Sequence, residues 1–84
     1  MKREYVITAV GKDRPGIVAG VTEVLFDLGG NIEDSSMTIL AGEFAMILIV
    51  SLPDGVVLGD VEEKLDTVRR SLHLVLSIKE LGPD

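Results

Sequence analysis

The sequence has no cysteine and no tryptophan, and only one histidine, one tyrosine and two phenylalanines among its 84 residues. Without thiols there are no disulfide staples, thiolate metal ligands or thiol nucleophiles, so stability must come from packing, with or without a second chain. Cations are scarce too: eight Lys and Arg against fourteen Asp and Glu leave a formal net charge of -6. Such a chain repels a phosphate backbone and an anionic lipid surface alike, and with so few aromatics it lacks the stacking platform of an RNA-binding sheet. No apolar run approaches the roughly 18 residues of a membrane span. After Met1-Lys2-Arg3 the run Tyr5 to Val10 is only a strand's length and is cut off by Gly11-Lys12-Asp13, unlike a signal peptide. Residues 1–84 are therefore expected to be a single cytoplasmic domain that binds neither nucleic acid nor membrane.

What is present is ordinary for a globular fold, with 46% hydrophobic and 26% charged residues. Glu4 to Gly11 is rich in β-branched residues and predicts a strand. After Asp13-Arg14-Pro15-Gly16 the period changes: Ile17, Val18, Val21, Val24, Leu25 and Leu28 recur at helical spacing. Pro15 suits the first turn of that helix and Gly29-Gly30 its stop. Asn31 to Leu40, polar in its first half, reads as an edge strand. Ala41-Gly42-Glu43 is a turn, and Phe44 to Leu52 is apolar on both faces, as a central strand is. Pro53-Asp54-Gly55 reads as a type I turn. A second helix is expected from an Asp60 N-cap, with Glu63 as its capping partner, through Leu72, carrying Val61, Leu65 and Val68 on its inner face and an Asp66–Arg70 pair outside. His73 to Leu81 is the last strand and Gly82-Pro83-Asp84 a frayed tail.

The order βαββαβ implies two right-handed crossovers, each leaving room for one strand of the other, so strands one and three lie in the middle. The fold class is α+β: a ferredoxin-like plait, a four-stranded antiparallel sheet with two helices on one face. Strands one and three are also apolar toward the other face, at Val6, Val10, Ala45, Ile47 and Ile49, which predicts a partner chain.

Catalytic and metal chemistry find little support. His73 is alone, no serine has a nucleophile-elbow context, and the acidic pairs belong to a helix start. No cofactor, metal or catalytic residue is expected. The informative segment is the handover at Gly11 to Ile17, where the free N–H groups opening a helix attract an anion. Asp13 and Arg14 add one charge of each sign, a pairing that suits a zwitterion such as an amino acid, with Asn31 offering an amide. The same residues also read as a simple cap, Asp13 on the helix and Arg14 in water. The loop alone leaves both readings open.

Asp13-Arg14-Pro15-Gly16-Ile17-Val18-Ala19 followed by Leu28-Gly29-Gly30-Asn31-Ile32 resembles the signature of the ACT domain, and the resemblance covers essentially the whole chain. It is similar to small stand-alone ACT proteins, to the glycine-cleavage-system repressor group and to the leading segment of formyltetrahydrofolate deformylases. The resemblance implies a regulatory module that binds a small effector, often an amino acid, at a seam between protomers and influences a metabolic enzyme or regulator. By similarity the binding residues are Asp13, Arg14, Pro15, Gly16, Ile17, Asn31 and Ile32. Gly11 departs from members that carry a polar side chain two positions before the loop's acidic residue. A homodimer is expected, by edge pairing through strand two or by stacking of open faces, and the residues do not choose between them. Two other readings stand beside this one. An acylphosphatase-like hydrolase on the same plait would need a longer glycine-valine cradle around its arginine, whereas Arg14 is followed by Pro15. The other is an assembly subunit without ligand.

Overall fold

A computed structural model describes residues 3–81. Alternation of apolar residues makes Arg3–Lys12 a strand, β1, with Tyr5, Ile7 and Ala9 buried between more exposed neighbours. It extends one residue beyond the expected segment at each end. Helix α1, Ile17–Asp27, buries Ile17, Val21 and Leu25. It starts later than Pro15, which the sequence pattern had put in the first turn. Gly16, the N-cap, has φ 92° and ψ -3°, the conformation of the third residue of a type II turn, and proline favours the position before it. Pro15-Gly16 is thus a turn feeding the helix.

The helix stops as its glycine pair foretold. Gly29 adopts φ 78° and donates to the Phe26 carbonyl at 3.0 Å, while Gly30 donates to the Leu25 carbonyl at 2.8 Å. These are the two bonds of a Schellman motif. The chain then enters β2, Asn31–Leu40, and turns through Ala41 and Gly42, at φ 52° and 78°, into β3, Glu43–Leu52. Two successive positive φ values make the twisted hairpin turn that glycine-bearing pairs favour. The sequence pattern's type I turn at Pro53-Asp54-Gly55 is corrected: Gly55 has φ 96° and the N–H of Val56 closes onto the Pro53 carbonyl at 3.3 Å. A positive φ at the third position excludes type I.

Helix α2 covers Leu58–Leu72 and buries Val61 and Leu65. Asp60 is not its N-cap, as the pattern had suggested. Val57 is, with no side-chain cap, because Val56 and Leu58 pack against the core and draw an extra turn of chain into the helix. Asp60 lies inside the first turn, where its charge still favours the helix dipole. At the other end His73 takes φ 55° as C-cap, and Leu74 donates to the Arg69 carbonyl at 2.9 Å. His73 therefore precedes the last strand, β4, Val75–Glu80, instead of opening it. The expected Gly82-Pro83-Asp84 tail lies outside the described residues.

The sheet order is β2-β3-β1-β4, fully antiparallel. Strands one and three are the central pair, as the crossover argument required. Phe44, Met46, Leu48, Val50 and Leu52 of β3 join Tyr5, Ile7 and Ala9 beneath the two helices. Every residue of β2 is exposed.

On α2 the expected Asp66–Arg70 pair is present, Arg70 Nε lying 3.0 Å from Oδ2, and Arg69 Nε donates to Oδ1 at 2.8 Å. The Arg69 hydrogen bond, opposed by partial desolvation and helped by both positive charges, holds the Asp66 carboxyl below the ordinary range. A depressed folded-state pKa stabilises at pH values above the unfolded value, about 4, and the gain is lost as pH falls through and below it. The expected result is that Asp66→Asn lowers the melting temperature slightly at pH 7. The gap to wild type should close near pH 2, read by circular dichroism melts at both pH values.

Candidate functional site

The handover from β1 to α1 is built by backbone. The N–H of Asp13 donates to the Gly42 carbonyl at 2.9 Å, tying this loop to the β2–β3 turn. Ile17, 2% exposed, anchors the other end in the core. Between them Asp13, Arg14, Pro15 and Gly16 are exposed. The first turn of α1 has no side-chain cap and no acidic residue. Asp13 does not cap the helix, so the N–H groups that open α1 have no side-chain partner among the described residues. A Cβ placed on Gly16 would meet nothing within 4 Å. An anion therefore has open access to the positive end of the helix. Asp13 and Arg14 flank it and form no ion pair with any described residue.

Gly11, just before this loop, is buried. A Cβ there would lie 2.8 Å from Leu74 Cδ2 and 3.3 Å from the His73 carbonyl oxygen. Leu74 occupies the space that a polar side chain from this position would take, so β1 contributes nothing polar to the loop from this side.

Asn31 and Ile32 lie elsewhere. Asn31 pairs with Ser51, itself opposite Glu4 at the start of β1, whereas Asp13 follows Lys12, which pairs with Glu43. From Ser51 to Glu43 the sheet runs about 26 Å, at about 3.3 Å per residue. The structure thus brings Asp13, Arg14, Pro15, Gly16 and Ile17 together at one end and leaves Asn31 and Ile32 at the other. No single amino acid spans them within one chain.

The Asn31 end has its own construction, which the sequence pattern missed. The register of β2 against β3 slips between Ile32 and Asp34, a β-bulge at Glu33. Glu33 Oε2 accepts hydrogen bonds from Ser51 Oγ at 2.7 Å and from Asn31 Nδ2 at 3.0 Å. Ser51 is the buried polar residue among those described, 4% exposed. The chain Ser51–Glu33–Asn31 orients the Asn31 amide and leaves its oxygen as acceptor. The available signal was Ser51 itself, the lone hydroxyl in an apolar strand. A groove of about 550 Å³ runs from Asn31 and Ile32 along the outer flank of α1, past Phe26 and Thr22 to Ala19. Phe26 is 81% exposed on its rim.

His73 is exposed, and among the described residues no group of three or more His, Asp or Glu side chains is gathered as a metal would require. No helix among the described residues is long and apolar enough to cross a membrane.

Residues 4–79 match the family model for the ACT domain. A UPF0237 protein of Methanopyrus kandleri is 44% identical over 68 residues, covering 80% of this chain and 76% of its own. The solved ACT domain protein from Streptococcus pneumoniae superposes with a TM-score of 0.84 at 32% identity, covering 95% of this chain and 91% of that one. A solved candidate glycine cleavage system transcriptional repressor gives 0.87 at 31% identity over the whole of this chain, which spans 48% of that protein's length.

Proposed function

Because the chain belongs to the ACT domain family, we propose that it is a regulatory module which, as a homodimer, binds a small amino acid and passes that occupancy to a metabolic enzyme or regulator. The observation that carries this reading is the uncapped start of α1 between one negative and one positive side chain. The effector's carboxylate sits on the amides of Ile17 and Val18, assisted by Arg14, and its ammonium faces Asp13. Charge-assisted bonds of this kind are the strong ones.

Two copies complete the site that one copy divides. The ten residues of β2 form a sheet edge exposed along its full length, and such an edge pairs readily with another strand. Antiparallel pairing of two β2 strands about a two-fold axis sets the start of one beside the end of the other. Asn31 of one copy then moves to the end of the sheet that carries the loop of its mate. The same contact covers Phe26, Ile32 and Ile39 on the helix side, which are 81%, 40% and 56% exposed in a single chain.

Titration calorimetry with the common amino acids tests this. Binding of at least one small amino acid is expected, weakened about tenfold or more by Asp13→Ala or Arg14→Ala, the loss of one hydrogen bond to a charged group. Uniform failure, glycine and serine included, overturns the reading.

A further inference from the structure

We propose that Glu33 is a positioning residue of the amino-acid site: its carboxylate turns the Asn31 amide so that the carbonyl oxygen faces the effector and accepts from its ammonium group. This role rests on the proposed function, since it needs an effector seated against Asn31. It adds what that effector must carry, a free ammonium.

The geometry starts in the core. Ser51 is 4% exposed and belongs to β3, a strand with a neighbour on each side, so its hydroxyl has little room to move. Asn31 lies directly opposite it on β2. Glu33 sits at the bulge between Ile32 and Asp34, and a bulge re-aims the side chain at the extra position. Its Oε2 comes back to 2.7 Å from Ser51 Oγ and 3.0 Å from Asn31 Nδ2. One oxygen, anchored by a buried hydroxyl, thus holds the amide of a residue on the exposed edge.

The orientation of that amide follows from chemistry. An ionised carboxylate only accepts hydrogen bonds, and the two sides of an Asn amide differ, one donating and one accepting. Asn31 must therefore turn its nitrogen toward Glu33. The oxygen, on the other side of the planar group, is left to face the effector. An amide free to rotate would receive a carboxylate or an ammonium alike. Held in this way it offers an acceptor, and an effector carboxylate is better placed on the amides that open α1.

The consequence is a reading of the ammonium at two points. Asp13 of one copy supplies the opposite charge, and Asn31 of its mate supplies a neutral acceptor at a set angle. A site built to hydrogen-bond a donor rejects the analogue that lacks it, because its own polar group is then left without a partner. The ligand class is accordingly the free α-amino acids, with N-acetyl and 2-hydroxy counterparts excluded.

Calorimetry and NMR on the full chain test the proposal. The probes are the common amino acids and, for each that binds, its N-acetyl and 2-hydroxy counterparts, expected to bind at least about tenfold more weakly. Asn31→Ala and Glu33→Ala should each weaken binding about tenfold, the loss of one hydrogen bond to a charged group. The double variant should be no weaker than Asn31→Ala alone, because Glu33 acts through Asn31. Glu33→Gln keeps an acceptor on a side chain of the same length and should bind within about threefold of wild type.

A double variant about a hundredfold weaker, the product of two independent losses, overturns the positioning role. So does Glu33→Gln binding as poorly as Glu33→Ala, which marks a direct effect of charge on the effector. With no ligand present, the order parameter of the Asn31 side-chain amide should exceed about 0.6 in wild type and Glu33→Gln and fall below it in Glu33→Ala. A mobile amide in wild type overturns the role whether or not anything binds. Undiminished binding of the N-acetyl or 2-hydroxy counterparts overturns the assignment of the ammonium to Asn31. Failure of every amino acid overturns the proposed function and this role with it, whereas binding without coupling overturns the role of Glu33 alone. Matching circular dichroism spectra exclude misfolding in each variant.

Discussion

Leu48→Ala is expected to lower the unfolding free energy by about 3 kcal/mol, the cost of a truncated leucine whose cavity cannot close. Leu48 is 1% exposed in the middle of β3, opposite Ile7 of β1 and Ser35 of β2. Its side chain belongs to the cluster that also takes Val21 and Leu25 of α1 and Val61 and Leu65 of α2. Strands on both sides hold its backbone, so neighbours have little freedom to collapse into the gap. A domain of this size has roughly 4–13 kcal/mol in total, at about 0.05–0.15 kcal/mol per residue, so the loss is a large fraction of the whole. Urea unfolding at fixed protein concentration measures it, since association would otherwise shift the midpoint. The volume-conserving Leu48→Met should cost less than about 1.5 kcal/mol. Equal effects from the two substitutions would contradict a packed core at this position.

The second large effect is expected at Gly30. A Cβ there would lie 2.9 Å from the Leu25 carbonyl oxygen, 2.9 Å from Leu52 Cδ2 and 3.4 Å from the Ser51 carbonyl oxygen. Two of these atoms are backbone and cannot swing away, so Gly30→Ala must push the end of α1 off the start of β2. A loss of about 1–3 kcal/mol follows from overpacking of this kind. Because Asn31 is the next residue, amino-acid binding should weaken in the same variant. Gly59, in α2, is the control: nothing lies within 4 Å of a Cβ there. Gly59→Ala should stabilise by about 0.5–1 kcal/mol, the gain from replacing a glycine within a helix. Chemical unfolding of the two variants should therefore give opposite signs for the same substitution.

The glycine pair illustrates how much was legible beforehand. Gly29-Gly30 marked the helix stop from composition alone, and Gly29 does supply the positive φ. That Gly30 is required for space was partly hidden, because two of the three atoms it must avoid belong to Leu52 and Ser51, far along the chain. Helix starts were harder to read than stops. Pro15 and Asp60 both had the local chemistry of a helix opening, yet the packing of Ile17 and of Leu58 decided where each helix began. The face alternation of β1 and β3 was readable residue by residue, since a strand's period of two does not depend on its partners.

For the site, the local half was legible and the distant half was not. Asp13 to Ile17 are contiguous, so their association at the start of α1 follows from the chain itself. Asn31 was grouped with them by pattern, but the parallel courses of β1 and β2 put the end of one about 26 Å from the start of the other, at about 3.3 Å per residue. The Glu33 bridge between Ser51 and Asn31 could not be foreseen either, because a bulge depends on how two strands register.

Composition, period and turn residues by themselves determined the element order, the plait, the buried face and the acidic character of the chain, because each depends on neighbours within a few positions. The tertiary structure alone decided which glycine is steric, that α1 opens without a side-chain cap, that β2 is left wholly uncovered, and that the two halves of the sequence signature lie at opposite ends of one sheet. Those properties depend on atoms brought together by strand pairing and helix packing, and no local stretch of chain contains them.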